Sequence, residues 1–348
     1  MKRIIYLAIT ACLLISCENE IPFDINEIPS KLVLNAFLDV DKEENEIILG
    51  FTGREEATLV TYDASVDIYI NGMHKEHYSA PEEPPIPPDP WLGPVLPFIV
   101  KTRLRFLPGD TIRIEARTND GKHYVWTEVV VPHPVVIERV DTTFVNKLTW
   151  NRMETYFRAK TTFTDNANQA NYYRICMEAL LEIEARNPGF PEYSILHETY
   201  SSPLIIREDV VLTDGRPSVE EEEGLLTPVE NMYGVFDDSR LNGTYTMTTS
   251  MYIPSSMDYL GYPGGYGEKM DVKRISIDMR VKLSSISKEQ YLYLKALNIH
   301  DSGSYDEYFT PPVKFPSNVN GGTGIVGVSI GSEMIIPLED YFSQQEEW

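Results

Sequence analysis

From Arg274 to Leu283 the chain alternates without a break. Ile275, Ile277, Met279, Val281 and Leu283 are apolar, and Ser276, Asp278, Arg280 and Lys282 stand between them. A period of two puts these classes on opposite faces of an extended strand, whereas a helix would scatter them. Such a segment buries one face and wets the other. Residues Ala64–Ile70 repeat the pattern, with Val66, Ile68 and Ile70 opposed to Asp67 and Tyr69.

Further strands are expected at 31–38, 46–51, 111–116, 123–130, 135–140, 157–163, 172–180, 243–248 and 324–330, all apolar or β-branched runs. Asn71-Gly72 and Asn119-Asp120-Gly121 are hairpin signals, because these residues tolerate positive φ. Leu107-Pro-Gly-Asp110 reads as a turn. The clearest helix runs from Lys288 to Leu297, with Ser287 as cap and Gln290 at capping-box spacing. Leu292 shares one stripe of it with Ala296, and Tyr291, Leu294 and Asn298 form the neighbouring stripe.

The chain is therefore expected to be all-β: two β-sandwich-like domains, the first immunoglobulin-like, with one short helix near the C-terminus. Val131-Pro-His-Pro134 marks the boundary, giving a first domain at 31–134 and a second at 135–348. Residues 81–97 interrupt the first domain with eight prolines around Trp91. Proline cannot donate to a ladder, so this is a polyproline-like loop, either a stiff linker or a contact loop presenting Trp91. A second contact candidate is the glycine-rich stretch holding Tyr259, Tyr262 and Tyr266, whose rings and hydroxyls suit glycans, peptides or a protein neighbour.

The N-terminus speaks to location. Met1-Lys-Arg3 precedes an apolar run from Ile4 to Ile15, then Ser16-Cys17. A basic start, a short apolar core and a small residue before the cut describe a signal peptide at 1–16, too short for a permanent span. Cys directly after Leu-Ile-Ser is the pattern read by the bacterial lipoprotein pathway, which acylates the thiol. Cys17 is thus the expected lipidation site, with residues 17–30 as a tether to the fold. Multiple acyl chains hold a protein to a membrane durably, at about 0.8 kcal/mol per buried methylene.

The chain carries 30 Lys+Arg against 53 Asp+Glu, a formal charge of −23. Such a charge is repelled by nucleic acid and by anionic membrane surfaces, so nucleic acid is not an expected partner and the lipid must do the anchoring. Of Cys12, Cys17 and Cys176, only Cys176 outlasts cleavage and lipidation as a thiol. No intramolecular disulfide is then available, and Cys176 reads as a buried, inert thiol in an apolar strand.

Motifs for chemistry are sparse. Asn320-Gly-Gly-Thr-Gly324 lacks the following Lys and helix of a phosphate loop and reads as a turn. His74 and His77 have ligand-like spacing without a second cluster to complete a zinc site, and after the Asn71-Gly72 turn they read better as an exposed polar strand. Glu220–Glu223, Asp237-Asp238, and Asp301 with Asp306-Glu307 offer oxygens of the kind calcium takes, at none of the known loop spacings. A solvated acidic surface is the default, and neither a cofactor nor a catalytic residue is assigned.

The lipobox, Ile21-Pro-Phe-Asp24 and Lys31–Phe37 resemble the start of a Bacteroidota family, domain of unknown function 4249. Leu283–Ser287, Tyr291-Leu-Tyr-Leu294, Pro312–Gly322 and Gly324–Gly327 agree with its far end. The resemblance implies an outer-membrane lipoprotein, often encoded beside a TonB-dependent transporter, with an accessory or surface-binding role and no catalytic residues to carry over. Glu18-Asn19-Glu20 after the lipidated Cys is similar to the export signal of surface lipoproteins in that group. The expected role is non-catalytic binding or accessory work at the cell exterior, through exposed loops rather than a deep pocket. A secreted hydrolase or a structural, adhesive surface protein are the alternatives.

Overall fold

The computed structural model describes residues 30–52, 64–80, 98–149, 152–166, 169–186, 191–201, 204–205, 208–215, 231–253, 271–301 and 312–338. Cys17, Trp91 with its proline loop, and Tyr259, Tyr262 and Tyr266 lie outside the described residues, as do Glu220–Glu223 and Asp306-Glu307. The strands are β1 (Leu32–Asp39), β2 (Asn45–Phe51), β3 (Ala64–Ile70), β4 (Met73–Ser79), β5 (Phe98–Thr102), β6 (Thr111–Thr118), β7 (Tyr124–Val130) and β8 (Ile137–Thr149). They continue with β9 (Arg152–Thr164), β10 (Tyr172–Arg186), β11 (Ser194–Tyr200), β12 (Leu204–Ile205), β13 (Val235–Asp237), β14 (Thr244–Tyr252), β15 (Asp271–Ile286) and β16 (Val326–Leu338). One helix, α1 (Lys288–Asp301), lies between β15 and β16.

Three sheets result. An eight-stranded sheet runs β11-β10-β15-β16-β1-β2-β5, with β13 also on β10, and two four-stranded sheets run β4-β3-β6-β7 and β12-β14-β9-β8. Strands β1, β2 and β5 opposite β4-β3-β6-β7 give the A-B-E and C′-C-F-G arrangement of an immunoglobulin-like sandwich. Its core gathers Leu32, Leu34, Leu38, Ile47 and Leu49 against Val66, Ile68, Ile112, Ile114 and Val125. The second core packs Ile175, Met177, Ala179 and Leu181 of β10 and Ile277, Met279, Val281 and Leu283 of β15 against Phe157, Phe163 and Met247. The hairpin signals hold, since Asn71 and Gly72 take φ 52° and 75° between β3 and β4.

Strand β16 joins the two sandwiches. Its start runs parallel to β1 (Ala36↔Val326, Leu38↔Val328), and the rest runs antiparallel to β15 (Ser285↔Ile330 to Ile277↔Leu338). Val326 and Val328 enter the first core, while Met334, Ile336 and Leu338 pack on the second. All five are even-numbered, so in a strand they share one face. Both small sheets therefore cover the same face of the large sheet. Its other face is left for α1 and for solvent.

The glycine turn at 320–324 explains how the chain enters β16. Gly324 takes φ +125°, and a Cβ there would stand 2.1 Å from the Leu34 carbonyl oxygen. One at Gly322 would stand 2.3 Å from that of Leu32. The turn is wedged between β1 and β7, bonding Thr323 N to Leu32 O (3.0 Å) and Asn320 N to Trp126 O (2.8 Å). Close backbone approach requires glycine here, in keeping with the turn reading.

Candidate functional site

The polar members of the alternating strands stand on the free face of the large sheet. Pairing sets them in rows: Arg174 opposite Ser284, Cys176 opposite Lys282, and Glu178 opposite Arg280, with Gly331 and Glu333 of β16 beside Ser284 and Lys282. Directly opposed side chains on one face come within contact distance, so opposite charges placed this way pair. The β1–β2 turn (Asp39–Lys42), Met232-Tyr233 and the first turn of α1 rise around these rows. Together they enclose a cleft of about 950 Å³.

Its charges are mostly neutralised in place. Arg280 donates from Nε to Glu178 Oε2 at 2.8 Å. Lys282 Nζ lies 2.9 Å from Asp39 Oδ2 and 3.8 Å from Asp41 Oδ2. Burial disfavours the Lys282 charge, but the hydrogen bond to Asp39 and the nearby Asp41 outweigh it and push the ammonium pKa up. Arg280 behaves alike: burial works against it, and Glu178 more than restores it. Gly331 N donates to Asp41 Oδ2 at 2.9 Å, pinning the turn to β16.

The opposite wall is equally fixed. Tyr233 N donates to Asn298 Oδ1 (3.0 Å) and its hydroxyl to Asp301 Oδ2 (2.5 Å), while its carbonyl accepts from Arg174 Nε (3.2 Å). Behind it the buried Asn231 side chain donates to Leu212 O and Val235 O and accepts from Val235 N and Asn298 Nδ2. The Ser287 cap on α1 forms, with Gln290 N 3.4 Å from its Oγ. Tyr291, Leu294 and Asn298 turn inward, while the Leu292–Ala296 stripe is split, with Ala296 buried and Leu292 exposed.

Cys176 stands on this outward row rather than in the core, half-buried among the charges. Burial pushes its thiol pKa up, which suits an inert residue. Arg280, Lys282, Cys176 and Gln290 were noted in the sequence for other reasons, and none of the cleft residues was read there as part of a site. The only signal was that the polar positions of β10 and β15 carry opposite charges, and nothing in one sequence reveals that these strands are neighbours.

Other candidates find different places. His74 and His77, on the exposed strand β4, converge on Asp67 Oδ1 at 3.0 and 2.7 Å, and Arg117 bonds Asp67 Oδ2 at 3.0 Å. His77 Nε2 also lies 3.0 Å from Ser79 Oγ. Among the described residues no group of three or more His, Cys, Asp or Glu is arranged to hold a metal ion. Of the acids considered for calcium, Asp237 accepts from Ser239 N (3.0 Å) and Tyr291 OH (3.1 Å), Asp238 from Asn171 N (2.6 Å), and Asp301 from Tyr233. An aromatic surface does exist, but from unforeseen residues. Phe37, Tyr293 and Phe315 follow one another at 5.7 and 5.6 Å, with Phe37 43% and Phe315 37% exposed. Among the described residues no helix is long and apolar enough to cross a membrane.

Fold and site together define an all-β protein of two sandwich cores sharing one sheet, with a charged cleft on the sheet's outer face. A family model for a domain of unknown function, DUF4249, matches residues 18–333, and the chain belongs to that family. No curated protein matches it. Among solved structures it is similar to the partial N-terminal region of an enterococcal surface protein. The identity is 11%, with 75% of this chain and 92% of that one covered, and the TM-score of 0.12 is too low to carry an argument.

Proposed function

We propose that this chain is a lipid-anchored outer-membrane protein, facing the cell exterior, that binds a polar ligand or partner without transforming it. The observation that carries the binding role is the cleft on the outer face of the shared sheet. Its walls are locked by ion pairs and side-chain hydrogen bonds, and rigid sites lose little entropy on binding. Anchoring rests on Ser16-Cys17 and the apolar run before it. The accessory role beside a TonB-dependent transporter rests on the family resemblance.

Affinity purification of the lipidated chain from native outer membranes, with mass spectrometry of what co-purifies, tests the accessory role. A stoichiometric TonB-dependent transporter supports it. Recovery of the chain alone, in detergents that preserve known transporter complexes, refutes it. A surface hydrolase is the second reading, favoured by the Ser79–His77–Asp67 hydrogen-bond chain. Covalent labelling of Ser79 by a fluorophosphonate, abolished in Asp67→Asn, would establish that reading, and an unlabelled Ser79 would remove it.

A further inference from the structure

We infer that the Arg174 end of the cleft is a subsite for a single carboxylate group on a polar ligand, an inference that rests on the cleft being a binding site. Three observations carry it.

The first is charge left over. Arg280 and Lys282 are matched by Glu178 and by Asp39 with Asp41. Arg174 has no carboxylate partner among the described residues. Its Nε is spent on the Tyr233 carbonyl, which is itself held at both ends of its residue. That bond sets the plane of the guanidinium and leaves its two terminal amino groups with no partner among the described residues. A planar pair of N–H donors matches the two oxygens of a carboxylate.

The second is donors left over beside it. Ser284, directly opposite Arg174, and Gln290 also line the cleft, and neither side-chain hydroxyl nor amide has a partner among the described residues. Gln290 is only 4% exposed, and its Oε1 is buried without a bond. A buried amide oxygen left unpaired costs about 1–3 kcal/mol, so this wall of the cleft holds a polar side chain that the fold itself does not satisfy.

The third is space kept open. A Cβ on Gly331 would come 2.6 Å from Ser284 Oγ, so glycine at that position keeps room beside the hydroxyl. The cleft volume of about 950 Å³ holds far more than the acid group and suits a ligand of several rings or residues. In the lining Asp39, Asp41, Glu178 and Glu333 balance Lys42, Arg174, Arg280 and Lys282. The cleft therefore offers no net positive charge to hold a polyanion on a chain of net charge −23. A monocarboxylate is selected over phosphate.

Calorimetry on the full chain purified in detergent tests this with paired probes: D-glucuronate against D-glucose, N-acetyl-L-alanine against its amide, and inorganic phosphate. The pairs separate a sugar acid from a peptide terminus as the source of the carboxylate. The expected result is at least one acid binding about tenfold or more tighter than its neutral counterpart and than phosphate. Binding should be lost in Arg174→Gln and weakened about tenfold in Arg174→Lys, both still melting cooperatively with the parent's far-UV circular dichroism. Equal binding of acid and neutral partner, or of phosphate, overturns the carboxylate subsite while leaving the cleft as a ligand site. Undiminished binding by Arg174→Gln overturns it likewise, and no binding by any probe removes both.

Discussion

Excising residues 31–134 should leave a fragment that does not fold, although it carries all seven strands that the immunoglobulin-like sandwich draws from that part of the chain. In the whole protein that sandwich also contains Val319, Val326 and Val328, of which the last two are fully buried. Burying a valine side chain contributes about 1.5–3 kcal/mol, so losing all three removes about 5–9 kcal/mol. A domain's entire stability is about 5–15 kcal/mol. The ladder bonds from β1 to the returning segment, such as Ala36 N to Ile325 O at 2.9 Å, would be exchanged for water and change the balance little. What the fragment lacks is apolar cover over Leu34, Ala36 and Leu38. Far-UV circular dichroism on heating and amide dispersion by NMR read the outcome. The fragment alone should show no cooperative transition, and attaching residues 312–331 through a flexible linker of about ten residues, reaching about 17 Å, should restore one. A lone fragment with dispersed amides, melting cooperatively near the whole chain, would refute the reasoning.

Asp67→Asn should destabilise the chain by about 1–3 kcal/mol near pH 6, read by urea unfolding. Burial alone would raise the Asp67 carboxyl, but hydrogen bonds from His77, His74 and Arg117 outweigh it and hold the pKa below the ordinary 3.8. A depressed carboxylate contributes stability above its unfolded pKa and loses it as pH falls through the folded one, so the gap between variant and parent should close below about pH 4. A gap that persists at pH 2 contradicts this. Asn231→Ala strands the Leu212 and Val235 carbonyls, Val235 N and the Asn298 amide, and should cost about 3–5 kcal/mol by the same assay. A loss under about 1 kcal/mol would mean water replaces the side chain. Gly324→Ala, forced to φ +125° with a Cβ 2.1 Å from the Leu34 oxygen, should lower the melting temperature far more than Gly72→Ala, where nothing lies within 4 Å. Equal shifts would show that the conformational penalty dominates and the contact does not.

The sequence alone determined which faces are buried. The alternation in Arg274–Leu283 and Ala64–Ile70 dictated strands, because only a period of two sorts those side chains. Asn71-Gly72 dictated its hairpin through positive φ, and Ser287 dictated where α1 begins. These are local rules, read within about ten residues. Strand β4 was legible as an exposed polar segment around His74 and His77, whereas β5 was missed because Phe98–Thr102 is short. Tertiary structure decided the rest. That β16 lies between β1 and β15 is a pairing across nearly 300 residues, and no local pattern specifies a strand's neighbour. The cleft follows from that pairing alone: Asp39 meets Lys282, a separation of 243 positions, only because β16 brings β1 beside β15. Alternation in Arg274–Leu283 says that Arg280 and Lys282 face away from the core, and nothing local sets Arg174, Cys176 and Glu178 beside them. Only the register says that they face one another, which of them are neutralised, and that Arg174 is left with two donors to offer.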